Sequence, residues 1–153
     1  MRLVYQRVSA ASVTVDGEVV GQIGEGAVLL LGVRDGDTTA EADLLARKAA
    51  ELRVFSDENG KFAYSMLDIG GDALVVSNFT LYGNCRHGRR PEFISAARPE
   101  VAEPLYEYYV QKLRDAGVKQ VATGVFGAHM DLDIHGNGPV TILMDTDEMK
   151  KKG

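Results

Sequence analysis

The chain has 153 residues, 45% apolar and 25% charged, with a net charge of −5. That length suffices for one domain with a real core, and the acidic balance counts against broad nucleic-acid binding, which asks for a basic domain. One cysteine, Cys85, excludes an internal disulfide framework and suits a reducing cytoplasm; no Cys and His spacing makes a zinc site, no apolar run reaches the roughly 18 residues of a membrane span, and the opening MRLVYQRVSA reads as a strand, not a signal peptide.

Arg2 to Val8 alternates, with Leu3, Tyr5 and Arg7 facing one way and Val4, Gln6 and Val8 the other. Ser12 to Val15 continues extended, Asp16-Gly17 supplies a two-residue hairpin turn, and Glu18 to Ile23 returns. Gly24 and Gly26 bracket a further turn. Ala27 to Val33 is apolar on both faces, as a central strand is. Thr38 with Glu41 forms a capping box, and Ala42, Leu45, Ala49 and Leu52 then share one face of a helix over Thr39–Leu52. Asn59-Gly60 marks a hairpin inside Val54 to Tyr64.

Ala73 to Asn78 reads as a strand. Pro99 opens a second helix, with Leu105, Tyr108, Tyr109 and Leu113 as its stripe and Gly117 as its stop. Pro104 is expected either in the first turn or as a break. Val118 to Thr123, Met130 to His135 and Val140 to Asp145 read as closing strands. With no regular βαβ alternation, the expected fold is α+β. It is a mixed, largely antiparallel sheet curled into a barrel-like core with two main helices. Residues 1–149 form its one domain, and 150–153 a frayed basic tail.

Two stretches carry chemistry. The strand from Ala73 ends in Ser77, Asn78, Phe79 and Thr80, and Arg86, His87, Arg89 and Arg90 follow in a short basic loop. Hydroxyl, amide and exposed backbone beside concentrated cations suit an anionic substrate. The second stretch is Asn137-Gly138-Pro139-Val140-Thr141. A Gly-Pro bond can be cis at about 0.5–1 kcal/mol, although a plain strand-entry turn also accounts for the dipeptide.

SNFTL at 77–81, GRRPEF at 88–93, ARPEVAEPLYEYYV at 97–110, Phe126-Gly127-Ala128 with Met130, and GPVT at 138–141 together resemble the D-aminoacyl-tRNA deacylase family. The opening MRLVYQRVSAASVTVDGEVVGQIG is also similar. The resemblance implies hydrolysis of the ester joining a D-amino acid to the 3′-terminal ribose of tRNA, and removal of glycine mischarged on alanine tRNA. It implies a homodimer with active sites at the interface, and no metal or other cofactor. It also implies a cis Gly138-Pro139 presented to the other subunit's site, where its carbonyls meet the substrate's amino group and leave no room for an L side chain. Chirality is then read by exclusion. The sequence departs from the family pattern at Asn78, where Gln is usual, and at Gly136-Asn137, where Asn and a variable residue usually precede Gly-Pro.

Thr80 is the obvious hydroxyl, but no His or carboxylate adjoins it in sequence, and an unactivated Thr is a weak nucleophile. The other reading gives the oxyanion to the backbone N–H groups of Phe79 and Thr80, with the substrate's 2′-hydroxyl helping to activate water. Ser77, Asn78, Met130, Gly138 and Pro139 then bind substrate. Phe79 either stacks on the terminal adenine or packs in the core. Arg86, Arg89 and Arg90 are candidates for acceptor-stem phosphates, with Arg7 a weaker one. His87, His129 and His135 are expected at the surface or as structural histidines, and Cys85 lacks a paired base. Two other classes fit part of the pattern: a catalytically silent RNA-binding or dimeric scaffold, and an esterase or amidase acting on free D-amino-acid derivatives.

Overall fold

A computed structural model describes residues 1–149; the expected basic tail, 150–153, lies outside the described residues. The fold is built on β1 (Arg2–Val15), which pairs antiparallel with three strands. Its first half bonds β3 (Gly26–Gly32), and its second half bonds β2 (Glu18–Ile23) across the Asp16-Gly17 turn. Along its other edge lies β8 (Asp131–Asp145). A bulge at Ser9 lets β1 serve two cores, since Val8 pairs with Gly136 and Ala10 with the next residue, His135. Leu3 and Tyr5 bury in the larger core. Val8, Ala11 and Val13 bury in a smaller one with Val28, Leu74 and Val76. Arg7 sits half-buried, as the alternation places it.

Two crossovers add parallel strands. The first runs through α1 (Thr39–Glu51), the hairpin β4 (Phe55–Ser56) and β5 (Phe62–Tyr64), and the one-turn α2 (Met66–Ile69). It delivers β6 (Asp72–Ser77) parallel to β3. The second, through α3 (Pro99–Asp115), sets β7 (Val121–Thr123) parallel to β6. The sheet runs β2-β1-β3-β6-β7 with β8 on β1, a mixed, nearly closed barrel. Both long helices bury their stripes in the larger core: Leu45 and Ala49 of α1, Tyr109 and Leu113 of α3. A last turn, α4 (Thr146–Met149), closes the described chain.

The Thr38–Glu41 capping box forms, and α1 stops one residue short of Leu52, its C-cap. Three expectations are corrected. Pro104 neither sits in the first turn nor breaks α3; it lies inside a continuous helix. The single bond it forfeits is to the carbonyl of Glu100, an exposed residue in the first turn. Val118 is not strand, because its N–H donates to the Leu113 carbonyl while Gly117 donates to Arg114, a double C-cap that holds the chain turned until Val121. The last two expected strands are one, β8, carrying a large bulge. The sequence reading also passed over α2, whose Ser65–Asp68 capping box is the local signal for it.

Candidate active site

The site begins where β6 ends. Leu31 and Ser77 are register partners, and the Asn78 N–H donates to the Leu31 carbonyl at 2.8 Å. The chain then leaves the sheet in a 3-10 turn, Phe79–Tyr82. This turn crosses Gly32 closely: a Cβ there would stand 3.2 Å from the Asn78 carbonyl oxygen and 3.0 Å from Leu81 Cβ. From beneath, Tyr106 of α3 donates to the Val75 carbonyl at 2.9 Å. Burial pushes the Tyr106 phenol up to about 12, so it stays a donor at neutral pH. The expected strand therefore ends one residue early, and Asn78 caps the turn.

In a 3-10 turn the first N–H groups have no acceptor within the turn. Those are Phe79 and Thr80. The side of the turn faces a cavity of about 810 Å³ at the carboxyl ends of β3, β6 and β7. Its walls come from Ser77–Thr80, Phe93, Ala96–Pro99 and Phe126–Met130, over a floor that includes Leu30, Val76 and Leu132. Crevices beyond the carboxyl ends of parallel strands are a usual place for ligands.

The structure brings Ser77, Asn78, Phe79, Thr80 and Met130 together on this cavity. Phe79 is 56% exposed and meets Phe93 edge-on at 5.1 Å between centroids, which removes the reading of Phe79 as plain core. The Thr80 hydroxyl donates to Asn78 Oδ1. An amide oxygen orients a hydroxyl without taking its proton, and no His or carboxylate among the described residues hydrogen-bonds Thr80. His129 lines the cavity at its solvent side, 92% exposed and 3.7 Å from Asp131. His135 pairs with Asp133 at 3.2 Å away from the cavity. His87 and Cys85 are exposed in the basic loop.

Arg86, Arg89 and Arg90 do not line the cavity. They stand exposed on a loop closed by the Asn84–Glu92 bridge, with no ion pair among the described residues. Phe93 and Arg98, which do line it, were missed by the sequence reading. Phe93 follows the basic loop directly, and Arg98 stands just before Pro99, which opens the second helix.

Gly138 and Pro139 lie elsewhere. Between the pairs Gln6–Thr141 and Val8–Gly136, β8 has more residues than β1, so Asn137–Val140 stands out of the ladder. The Gly138-Pro139 bond within it is cis. Gly138 has φ +135°, and a Cβ there would press on Val140 at 2.9 Å and on Arg7 Nη2 at 3.2 Å. Arg7 grips this bulge. Its Nε donates to the Asn137 carbonyl at 2.9 Å, and its Nη1 to the Val54 carbonyl at 2.7 Å and to Ser56 Oγ at 3.2 Å. Arg7 is thus a clamp between β8 and the β4–β5 hairpin, which corrects the expectation of it as a weaker phosphate contact. The bulge contributes no residue to the cavity wall of its own chain.

The family model for D-Tyr-tRNA(Tyr) deacylase matches residues 4–145. The chain belongs to that family. Proteins called D-aminoacyl-tRNA deacylase are similar over nearly the whole length. One from Thermomicrobium roseum is 57% identical, covering 98% of this chain and 97% of its own. One from Brevibacillus brevis is 56% identical, covering 95% and 100%. A solved structure described as c-Myc DNA Unwinding Element Binding Protein superposes with a TM-score of 0.89 at 41% identity, covering 95% and 98%. Another, described as a probable eukaryotic D-amino acid tRNA deacylase, gives 0.81 at 17% identity, covering 94% and 97%, and so speaks for the fold. The family's members are hydrolases of aminoacyl-tRNA.

Proposed function

We propose that the protein hydrolyses the ester linking a D-amino acid to the 3′-terminal ribose of tRNA, and glycine carried on alanine tRNA. The observation that carries this reading is the cavity wall at Ser77–Thr80, where a 3-10 turn leaves the Phe79 and Thr80 N–H groups without internal acceptors. In a chain of this family, those donors suit the oxyanion of an ester under attack. Each contributes about 2.7–4 kcal/mol when aimed at the developing charge. The Thr80 hydroxyl, turned to Asn78, orients that amide and leaves attack to water, which the substrate's 2′-hydroxyl helps to activate. Exposed Phe79 offers a face to the terminal adenine, with base–aromatic stacking contributing about 1–3 kcal/mol.

Selectivity needs a second element. The bulge at Gly138-Pro139 protrudes, is hydrogen-bonded by Arg7 through the Asn137 carbonyl, and contributes nothing to the cavity of its own chain. In a homodimer, each bulge enters the other protomer's cavity and sets backbone carbonyls where an L side chain would lie, while a D side chain points away. Glycine, with no side chain, escapes the wall as well. The basic loop carrying Arg86, Arg89 and Arg90 meets acceptor-stem phosphates. This substrate places the protein with translation in the cytoplasm.

The test is incubation with matched D- and L-tyrosyl-tRNA and with glycyl-tRNA for alanine. Release from the D and glycyl substrates with the L ester intact is the expected result. Binding of tRNA without release would instead support a silent RNA-binding module. Activity confined to small D-amino-acid esters would make the protein an esterase of free derivatives.

A further inference from the structure

Of the residues that line the cavity, one side chain carries a permanent charge, Arg98. The rest of the wall is apolar or neutral, apart from the titratable His129. Arg98 is exposed, and its guanidinium has no hydrogen bond or ion pair among the described residues. Its backbone is tied down. Pro99 restricts the preceding residue to extended dihedrals, and Arg98 has φ −68° and ψ 154°. Its carbonyl accepts from the N–H groups of Val101 and Ala102 at 2.9 and 2.8 Å. A cation is therefore mounted on a tied-down helix start at the edge of the catalytic cavity, and no partner among the described residues neutralises it.

Resting on the function proposed above, we infer that Arg98 is a positioning residue that binds the phosphodiester just before the terminal adenosine. Substrates of this kind vary in their amino-acid side chain but all carry that phosphate, so it is the anion a fixed cation can serve every time. Arg is suited to the task, because its planar fork binds two phosphate oxygens at once and stays charged at all working pH. The role differs from that of the Arg86–Arg90 loop, whose arginines do not line the cavity. Holding the last phosphate fixes the ribose, and with it the ester carbonyl, against the Phe79 and Thr80 donors.

Three substrates of decreasing length separate the roles: D-tyrosyl-tRNA, the D-tyrosyl ester of its 3′-terminal trinucleotide, and D-tyrosyl-adenosine, which has no phosphate. Arg98→Gln is expected to lower kcat/KM by about tenfold on the first two, with a loss at least several-fold smaller on the third. The log–log salt dependence on the trinucleotide ester should also become shallower by about 0.7, the value for one single-strand phosphate contact. Arg98→Lys should recover part of the rate and the full salt slope, since it keeps the charge and loses the fork. Equal losses on all three substrates, no loss on any, or an unchanged salt slope would overturn the assignment. So would a changed preference between D-aspartyl and D-lysyl esters of adenosine, which would put Arg98 beside the amino-acid side chain. If the unaltered protein releases D-tyrosine from none of the three, the functional reading itself fails, and the two failures are thereby told apart.

Discussion

The Ser77–Thr80 turn and the Asn137–Val140 bulge are both places where backbone leaves a β-ladder, but they do so in opposite senses. The turn curls against Gly32 and becomes one wall of a cavity, supported by Tyr106 from the core. The bulge is pushed outward, exposed from Asn137 to Pro139; Val140 at its end packs on the larger core, and Arg7 holds the Asn137 carbonyl. The turn offers N–H donors, and the bulge offers carbonyls. A reaction at an ester needs the first kind, and recognition of a substrate ammonium needs the second. Within one chain the two stay apart, which is the ground for the proposal of a site completed between two copies.

The strongest way to break that comparison is at Gly138. Gly138→Val places a branched side chain at φ +135°, against Val140 and Arg7. Turnover of D-tyrosyl-tRNA is expected to fall about a hundredfold or more, with a fall in melting temperature of roughly 2–10 °C, because a Cβ there presses on the Val140 backbone and Val140 packs on the larger core. Co-expression sharpens it. If Gly138→Val and a cavity-filling Ala128→Trp each abolish activity, random pairing should restore about one quarter of wild-type sites, since half the dimers carry one intact site of two. No recovery would mean that turn and bulge act within one protomer.

Arg7→Ala comes next. It leaves the Asn137 and Val54 carbonyls without this donor and is expected to cost about 1–3 kcal/mol of stability. Single-turnover rates should drop about tenfold to a hundredfold as the bulge loosens. Arg7→Lys should rescue poorly, because one ammonium cannot reproduce a fork that spans the bulge and the hairpin. Full rescue by Lys would reduce Arg7 to a charge effect.

These two regions also differ in how far they could be read from sequence. The turn was legible because its signals are local: an apolar strand gives way to Ser77, Asn78 and Thr80 within a few residues. The same holds for the Thr38 capping box and the Asp16-Gly17 and Asn59-Gly60 turns. The bulge was legible as a motif but not as a shape. Gly136 to Pro139 reads as a break between strands, and only the ladder of β1 on either side makes β8 continuous. Arg7 shows the limit plainly. Alternation places it beside Tyr5, yet its acceptors come from residues 54, 56 and 137, which no local pattern connects. Arg98 was hidden because a helix-start reading already accounted for it, and the cavity that gives it a role is assembled from separated segments.

A smaller effect is expected on the turn side. Thr80→Ala removes the hydroxyl that holds Asn78 Oδ1. One neutral hydrogen bond of about 1 kcal/mol corresponds to a loss of roughly five- to tenfold in kcat/KM. Thr80→Ser should restore most of it. A loss nearer a thousandfold, together with a burst of product in rapid-quench measurements, would make Thr80 a nucleophile and overturn the backbone-centred reading.

The smallest effect, absent at neutral pH, separates the supports beneath the two regions. Tyr106 is pushed up to about 12 by burial, from an ordinary value near 10. Its folded value lies above its unfolded one, so its contribution to stability is complete below pH 10 and is lost as pH rises toward 12. Burial also raises Tyr5 and Tyr109 in the same core, so the whole protein should lose stability across this alkaline window. Tyr106→Phe should make the decline in denaturant midpoint shallower. The Val75 carbonyl would keep the Gly124 N–H at 3.4 Å, so the variant should still fold. On the bulge side the side-chain hydrogen bond to the backbone comes from Arg7 and not from a tyrosine hydroxyl. Backbone amide exchange, extrapolated for its own pH dependence, should therefore rise earlier in β6 than in β8. Exchange that rises first at Asn137–Val140 would mean that the bulge, and not the turn, rests on the titrating core.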